Sequence, residues 1–264
     1  MVILITGITS GFGRAMAERL SWEGHKVYGT HRNAKDFIPG VTYIRADSQS
    51  DDQCKAAVEQ VVAAEGRIDV FINNAGMGIG GPLEFSSLES ARLQMDINWM
   101  GMVRYLHFVV PVMRKQGCGR IICFSSIGGL MGLPFQGLYS ASKFAIEGYC
   151  EALRLEVRGF GIDVVLVEPG DFATSFTAQR NKVSDPEAFE VYKTYAQSLA
   201  SIEHDETSGL KPEYLAKKIS RIVNCRRPRY AYVVSTFTQW LSTFLKRILP
   251  ARWFAAILSS YYKL

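Results

Sequence analysis

The residues best suited to chemistry are a tyrosine and a lysine four positions apart, Tyr139 and Lys143. At the start of a helix this spacing places both side chains on one face. A free tyrosine has a pKa of about 10, and a neighbouring ammonium group lowers it toward the range where an acid or base catalyst works best. The pair therefore predicts a proton-transfer site, although the spacing alone occurs by chance in many helices.

A pair of serines precedes this tyrosine at the end of an apolar run, residues 120–125, that is typical of a buried strand. Ser126 lies thirteen positions before Tyr139. In open α/β sheets ligands bind outside the carboxyl ends of the strands, so a hydroxyl at this point faces a binding crevice. We take Ser126 as the site residue and Ser125 as its competitor.

A glycine-rich turn follows the first apolar run, residues 2–5. Its glycines let the backbone approach a pyrophosphate, and the helix that follows offers free N–H groups and the positive end of its dipole. The turn predicts a dinucleotide site, with a plain tight turn as the alternative. The predicted contacts are Gly7, Thr9, Ser10, Gly11, Phe12 and Gly13.

These residues need a scaffold in which strand ends meet, and the pattern along the chain predicts one. Short apolar runs alternate with helical patterns, which is typical of crossover units in a parallel sheet covered on both faces. No repeat or low-complexity linker divides the chain. We therefore predict a single α/β domain over residues 1–264, a Rossmann-like, doubly wound parallel sheet. Strands are predicted at 2–5, 26–30, 41–45, 68–73, 120–125 and 162–167, and helices at 14–22, 51–65, 88–116 and 140–158.

The Gly-x-x-x-Gly-x-Gly spacing of the turn, followed in order by Ser126, Tyr139 and Lys143, resembles the short-chain dehydrogenase/reductase family in its compact branch. The resemblance covers residues 1 to about 175 and is strongest to steroid- and retinol-active members. It implies an oxidoreductase in which a nicotinamide cofactor moves a hydride while Tyr139 moves a proton. Ser126 would hold the substrate oxygen, Lys143 would hold the nicotinamide ribose, and Asn98 would anchor a water for proton relay.

The cofactor preference depends on the end of the second strand, where His31 and Arg32 stand and no acidic residue does. An acidic residue there binds the free ribose 2′-hydroxyl of NAD, whereas an arginine accommodates the 2′-phosphate of NADP through charge-assisted hydrogen bonds. We expect NADP(H), with NAD(H) second and a solvated loop arginine as the alternative interpretation. Ser10 stands where many NADP-preferring relatives carry a further basic residue.

Three further segments complete the cofactor site by resemblance. Asp47 follows the third strand, where similar enzymes bind the adenine amino group, and a turn or cap role fits equally well. One element resembles the family's Asn-Asn-Ala-Gly loop, and another its Pro-Gly-x-x-x-Thr segment beside the nicotinamide carboxamide. The expected contacts are Asn74, Ala75, Gly76, Pro169, Gly170 and Thr174.

Composition argues against several classes of function. The net charge of +5, from 30 basic and 25 acidic side chains, is mild and forms no basic block, so we expect no nucleic-acid partner. The five cysteines lack metal-binding spacing, which predicts no metal site and reduced thiols in a cytoplasmic setting. The first residues do not resemble a signal peptide, and no apolar stretch reaches the roughly 18 residues that span a bilayer.

Two regions are expected to shape the substrate. Residues 171–212 are polar and aromatic with weak periodicity, as in a long substrate lid. Their aromatic side chains either cover an apolar substrate or fasten the lid to the body. We expect a lipophilic ketone or secondary alcohol, such as a steroid, a retinoid or a long-chain keto compound, including a 3-keto sphingoid base.

Residues 237–264 predict two amphipathic helices broken at Pro250. Basic residues beside an apolar, aromatic face fit peripheral contact with a membrane surface, while a cap over the cleft or a dimer contact would bury the same face. The family resemblance also suggests a homo-oligomer. The alternatives to an enzyme are a non-catalytic cofactor-binding protein, which typically lacks the tyrosine or lysine, and a membrane-surface interaction protein.

Overall fold

The computed structural model describes residues 1–34 and 36–264, in which a seven-stranded parallel sheet carries helices on both faces. This confirms the predicted fold class. The strands are β1 Val2–Thr6, β2 Lys26–His31, β3 Val41–Arg45, β4 Val70–Asn73, β5 Ile79–Gly80, β6 Gly119–Phe124, β7 Ile162–Pro169, β8 Asn181–Lys182 and β9 Ala231–Val234. The α-helices are α1 Gly11–Trp22, α2 Asp51–Glu65, α3 Leu88–Met95, α4 Gly101–Gln116, α5 Gly137–Val157, α6 Pro186–Val191, α7 Tyr195–Thr207, α8 Pro212–Asn224, α9 Phe237–Ile248 and α10 Ala251–Tyr262.

The order of the strands places the functional loops together. The sheet runs β3-β2-β1-β4-β6-β7-β9, while β5 and β8 form a separate small pair. The chain builds outward from β1 in one direction to β3 and then in the other from β4 to β9. The loops that follow β1 and β4 lead to opposite faces of the sheet, so a crevice opens between them at the carboxyl ends of the strands.

Burial on both faces explains why the strands are apolar throughout. In β1, Leu4 packs into the layer under α2, α4 and α5, whereas Ile3 and Ile5 pack into the opposite layer with α1 and α8. All three are fully buried. Each such side chain contributes about 1.5–3 kcal/mol relative to an exposed one, and alternation along the strand feeds both layers.

The segment 171–212 contains the helices α6 and α7 and the short strand β8, rather than being the plain long loop that the sequence predicts. The inward positions of α7 are Tyr195, Ser198, Ile202 and Glu206. They recur at three and four residues, as a helix requires, but two of the four are polar. A hydrophobicity pattern therefore shows no helical period there.

The last third of the chain contains two further elements that the sequence analysis did not predict, β9 and α8. The strand β9 has four residues and extends the sheet beyond β7. The helix α8 packs on α1 and contributes Leu215 and Ile219 to the core. The two amphipathic helices around Pro250 are present as α9 and α10.

Candidate active site

A cavity of about 850 Å³ opens at the carboxyl ends of the central strands. It extends from the glycine turn, past the start of α5, to the inner faces of α9 and α10. The structure brings together on its wall all of the sequence-predicted site residues except Gly13 and Asn98. Those that line it are Gly7, Thr9, Ser10, Gly11, Phe12, His31, Arg32, Asp47, Asn74, Ala75, Gly76, Ser126, Tyr139, Lys143, Pro169, Gly170 and Thr174.

The glycine turn is shaped for close backbone approach. Gly7 and Gly11 have φ angles of 72° and 51°, which favour glycine because other residues meet steric strain there. Gly13 lies behind the cavity wall, and a Cβ added to it would come within 1.9 Å of the Gly7 carbonyl oxygen. Its role is to let α1 pack against the turn, rather than to contact a ligand.

The loop after β4 is bonded to this turn. The side-chain Nδ2 of Asn74 donates to the carbonyl oxygens of Thr6 and Gly7, at 3.0 and 2.9 Å. The Thr6 hydroxyl in turn accepts hydrogen bonds from the backbone N–H groups of Asn74 and Ala75. These bonds make the two loops one unit, so a substitution in either disturbs the shape of the other.

The end of β2 forms the far side of the cavity. Arg32 is exposed there and lines the wall beside His31. The ring of His31 accepts a hydrogen bond at Nδ1 from the Ala34 N–H at 2.8 Å. Burial, with the nearby Arg45 charge, lowers the pKa of His31, so its ring is neutral when it shapes this loop. The exposed guanidinium of Arg32 supplies a positive charge on this wall.

Asp47 serves as a turn residue and also reaches the cavity wall. Its carboxylate accepts a hydrogen bond from the Gln49 N–H at 3.1 Å. Its side chain lines the cavity beside Ser48. Asp47 therefore has the turn role, and its expected contact with the adenine amino group stays a prediction.

The helix α5 presents Tyr139 and Lys143 in its first two turns. The Lys143 Nζ donates to the Phe124 carbonyl at 2.8 Å and lies 5.6 Å from the centre of the Tyr139 ring. A Cβ built on Gly128 would touch both the Ser126 hydroxyl and the Tyr139 ring, whereas the Ser125 hydroxyl lies against Gly129, beside the Lys143 backbone. The geometry therefore favours Ser126 over Ser125 as the partner of the tyrosine.

Burial disfavours the charged form of both Tyr139 and Lys143 and so shifts the pKa of each. It raises the pKa of Tyr139 to about 12, and the nearby Ser126 hydroxyl opposes this shift. It lowers the pKa of Lys143 to about 8. Tyr139 is therefore protonated at neutral pH and able to donate a proton. A positive charge brought next to the phenol would lower its pKa and favour proton transfer.

Asn98 is buried in a π-helical segment, Asp96–Met100, between α3 and α4. Its Oδ1 accepts from the Met77 N–H at 2.8 Å, and its Nδ2 donates to the Met77 carbonyl and to the Ser142 hydroxyl. Ser142 donates in turn to the Tyr139 carbonyl at 2.7 Å. Both amide hydrogens therefore have protein partners, and the side chain joins the loop after β4 to the first turn of α5.

Sequence reasoning missed an acidic group on the cavity wall, formed by Asp171, Asp205 and Glu206. Burial raises the pKa of Asp171 to about 7, and the charges of Glu206 and Asp205 add to the shift. The Gln239 amide donates to the Asp171 carboxylate, and Glu206 pairs with the buried Arg180. No local pattern could reveal this group, because Asp171 follows β7 whereas Asp205 and Glu206 lie on α7, a distant part of the chain.

Another part of the cavity wall is apolar and comes from the C-terminal helices. The helices α9 and α10 contribute Leu241, Leu245, Phe254 and Leu258. Phe176 packs against the Tyr139 ring with 5.7 Å between ring centres. The cavity wall thus combines the glycine turn, Tyr139 and a set of apolar side chains.

Comparison with known proteins agrees with this architecture. Residues 1–185 match the short chain dehydrogenase family. The chain is 45% identical to a 3-ketodihydrosphingosine reductase of Bacteroides thetaiotaomicron over 99% of this chain and 97% of that protein. It is 34% identical to human 17-beta-hydroxysteroid dehydrogenase type 1, covering 88% of this chain and 76% of that one. A short-chain dehydrogenase structure from Streptomyces avermitilis superposes with a TM-score of 0.81 at 29% identity, covering 99% and 96% of the two chains. The protein is therefore an oxidoreductase of the short-chain dehydrogenase family.

Proposed function

We propose that this protein transfers a hydride between NADP(H) and a long-chain lipophilic ketone or its secondary alcohol, with Tyr139 as the acid and base. One observation carries the proposal. Tyr139, Ser126 and Lys143 share one cavity with the glycine turn and with the apolar side chains of α9 and α10. A reactive carbonyl held at Tyr139 would have its chain against the apolar side chains and face a cofactor bound at the glycine turn.

The residues around the glycine turn fit a dinucleotide. A Cβ on Gly7 would lie 3.1 Å from the Ala75 Cα, so the turn and the loop after β4 leave room only for a bare backbone. The N-terminus of α1 directs its unpaired N–H groups at the position expected for a pyrophosphate. Arg32 at the far wall favours a 2′-phosphate, which is our reason for proposing NADP(H) over NAD(H).

The catalytic roles follow from the positions of the side chains. The bound nicotinamide supplies or accepts the hydride. Ser126 donates a hydrogen bond to the substrate oxygen, and Tyr139 delivers a proton to that oxygen in the direction of reduction. Lys143 places its positive charge beside the phenol and stabilises the tyrosinate that remains. Asn98 acts as a positioning residue through Met77 and Ser142, and its expected role in a water relay stays a prediction.

The acidic group on the cavity wall favours one kind of lipophilic ketone. A 3-keto sphingoid base carries an ammonium group on the carbon next to the ketone, whereas steroids and retinoids carry none. Asp171, Asp205 and Glu206 line the same cavity as Tyr139, so an ammonium group on the substrate would meet carboxyl groups there. We therefore favour a long-chain 2-amino ketone, in agreement with the relative described as a 3-ketodihydrosphingosine reductase.

The test is a steady-state assay with a matched pair of substrates and both cofactors. 3-Ketodihydrosphingosine and 1-hydroxyoctadecan-3-one differ only in the amino group. With NADPH, we expect kcat/KM to be roughly ten- to hundredfold higher for the amino ketone, as one charge-assisted hydrogen bond implies. Activity confined to small polar carbonyls would refute the lipophilic substrate, and higher efficiency with NADH would refute the cofactor assignment.

A further inference from the structure

The helices α9 and α10 form a hairpin, residues 237–264, that exposes two apolar stripes. The outward side chains recur every three or four residues, so each helix presents one continuous ridge. Phe237 is 72% exposed, and its ring begins a row of exposed aromatic rings with centres 5.8 and 6.1 Å apart. The stripes consist of Phe237, Trp240, Phe244 and Ile248 on α9, and of Trp253, Ile257 and Tyr261 on α10, of which Ile257 and Tyr261 also line the cavity. So large an apolar face on a surface marks an interaction site.

The charges around these stripes are of one sign. The last acidic side chain in the sequence is Glu213, so the hairpin carries cations and no carboxylate side chain. All four of its cations are exposed, and two of them stand next to each other just before the bend at Pro250. They are Lys246, Arg247, Arg252 and Lys263. These cations and the apolar stripes together complement a partner that is anionic and also offers an apolar layer.

The other side of the hairpin lines the cavity. Leu245 of α9 and Phe254 of α10 reach the cavity wall, and the Lys246 Nζ lies 5.2 Å from the centre of the Phe254 ring. The stripe on α9 thus lies one helix thickness, about 10 Å, from the apolar side chains that line the cavity.

We propose that the α9–α10 hairpin docks the protein on the surface of an anionic lipid bilayer. The two stripes insert at the boundary between the lipid headgroups and the acyl chains, and the four cations pair with lipid phosphates. In the described ranges, 1–34 and 36–264, no helix has the length and apolar character needed to cross a membrane. The hairpin therefore rests on the surface rather than spanning it. This role is independent of the substrate and cofactor assigned above.

Charge argues for lipid over a second copy of the chain. A two-fold contact through the hairpin would place identical surfaces together, and each would bring four cations with no carboxylate side chain of the hairpin to pair with them. An anionic bilayer provides the missing counter-charges and an apolar layer at the same time.

The experiment measures binding of the full chain to vesicles of phosphatidylcholine alone and of an equal mixture of phosphatidylcholine and phosphatidylglycerol. We expect co-sedimentation with the anionic vesicles only, with binding weakened by added salt because the Debye length shortens. Three variants that each retain one exposed tryptophan locate the contact. Brominated lipids should quench the fluorescence of Trp240 or Trp253 in the hairpin. They should leave the fluorescence of Trp22, at the end of α1, unchanged.

A double variant, Trp240→Glu with Phe244→Glu, should lower vesicle partitioning roughly tenfold or more, since it places charge in the apolar stripe. Trp22→Glu is the matched control, because Trp22 is 79% exposed outside the hairpin. NADPH binding, measured by fluorescence, reports that both variants are folded.

Three results would overturn the proposal: no binding to anionic vesicles at low salt, equal loss in the double variant and the control, or a dimer in sedimentation velocity that only the double variant dissociates. The last result would identify the hairpin as a self-interface.

Discussion

The floor of the cavity and its roof are held together in different ways. The floor comprises the glycine turn, the ends of β1, β4 and β6, and the start of α5. The roof comprises α7, α9 and α10. In the floor, backbone groups approach closely, as at Gly13 and Asn74. In the roof, α9 buries only Thr243, and isolated side-chain bonds such as Ser198 to the Tyr262 carbonyl hold the helices. The closely packed floor therefore suits the binding of a cofactor in one fixed geometry, whereas the shape of the roof can adapt to the substrate.

The sharpest test of the floor is Tyr139→Phe, which keeps the ring and removes the proton. We expect kcat to fall by about 10²- to 10⁴-fold, the contribution of a positioned general acid, with little change in NADPH affinity. Single-turnover hydride transfer and fluorescence titration measure the two quantities. Tyr149→Phe, on the same helix but off the cavity wall, is the control. Near-normal turnover in the Tyr139 variant would mean that the proton comes from elsewhere.

Gly13→Ala tests how tightly the floor is packed. Its new Cβ would meet the Gly7 carbonyl at 1.9 Å, so the turn must shift. We expect the free energy of unfolding to fall by about 1–3 kcal/mol or more, and NADPH binding to weaken. Gly148→Ala on α5 meets nothing within 4 Å and should instead stabilise the protein by up to about 1 kcal/mol. Urea denaturation of both variants gives the difference, and equal values would contradict a close-packed floor.

Arg32→Ala tests the cofactor preference at the edge of the floor. If its guanidinium binds the 2′-phosphate, kcat/KM with NADPH should drop roughly ten- to hundredfold, and that with NADH should hardly change. Arg45→Ala removes an exposed cation from the neighbouring strand without touching the cavity wall. A similar loss in both variants would indicate a general field effect rather than a specific phosphate contact.

The difference between the floor and the roof also explains which site residues the sequence could predict. Gly7, Ser126 and Tyr139 are constrained by local geometry, namely a positive φ, a strand end and a helical spacing, and each leaves a readable pattern. The roof depends on contacts between distant segments, such as Gln239 with Asp171, 68 positions apart. Such contacts are decided by packing, which no window of neighbouring residues records.

Asn98 and Gln94 show an intermediate case. Asn98 was found by its place in the family pattern, but its bonds to Met77 and Ser142 became visible only in the fold. Gln94 was not predicted, although it is fully buried and bonds to Ile79 and Met77. A buried amide on a helix has no distinctive sequence signal, because the same residue type is usually exposed.

Asp171→Asn tests the roof and gives the smallest expected effect. Burial raises the pKa of this carboxyl from 3.8 to about 7, so the folded state binds its proton more tightly than the unfolded state does. Its contribution to stability is therefore full below about pH 4 and is lost as the pH rises toward 7. Asparagine does not titrate, so the free energy of unfolding of the wild type relative to this variant should decline over that range.

The decline should be of the order of 1–2 kcal/mol, because water reaches part of the side chain and screens the neighbouring charges of Glu206 and Asp205. Urea denaturation at several pH values between about 4 and 7.5 measures it. Burial also raises the pKa of Glu168 to about 7, but that group is present in both proteins and its effect cancels in the difference. A difference that stays constant with pH would place Asp171 in contact with solvent. A roof open enough to hydrate that carboxylate would bind an ammonium group weakly, so the preference for an amino ketone would then have to originate in another part of the cavity.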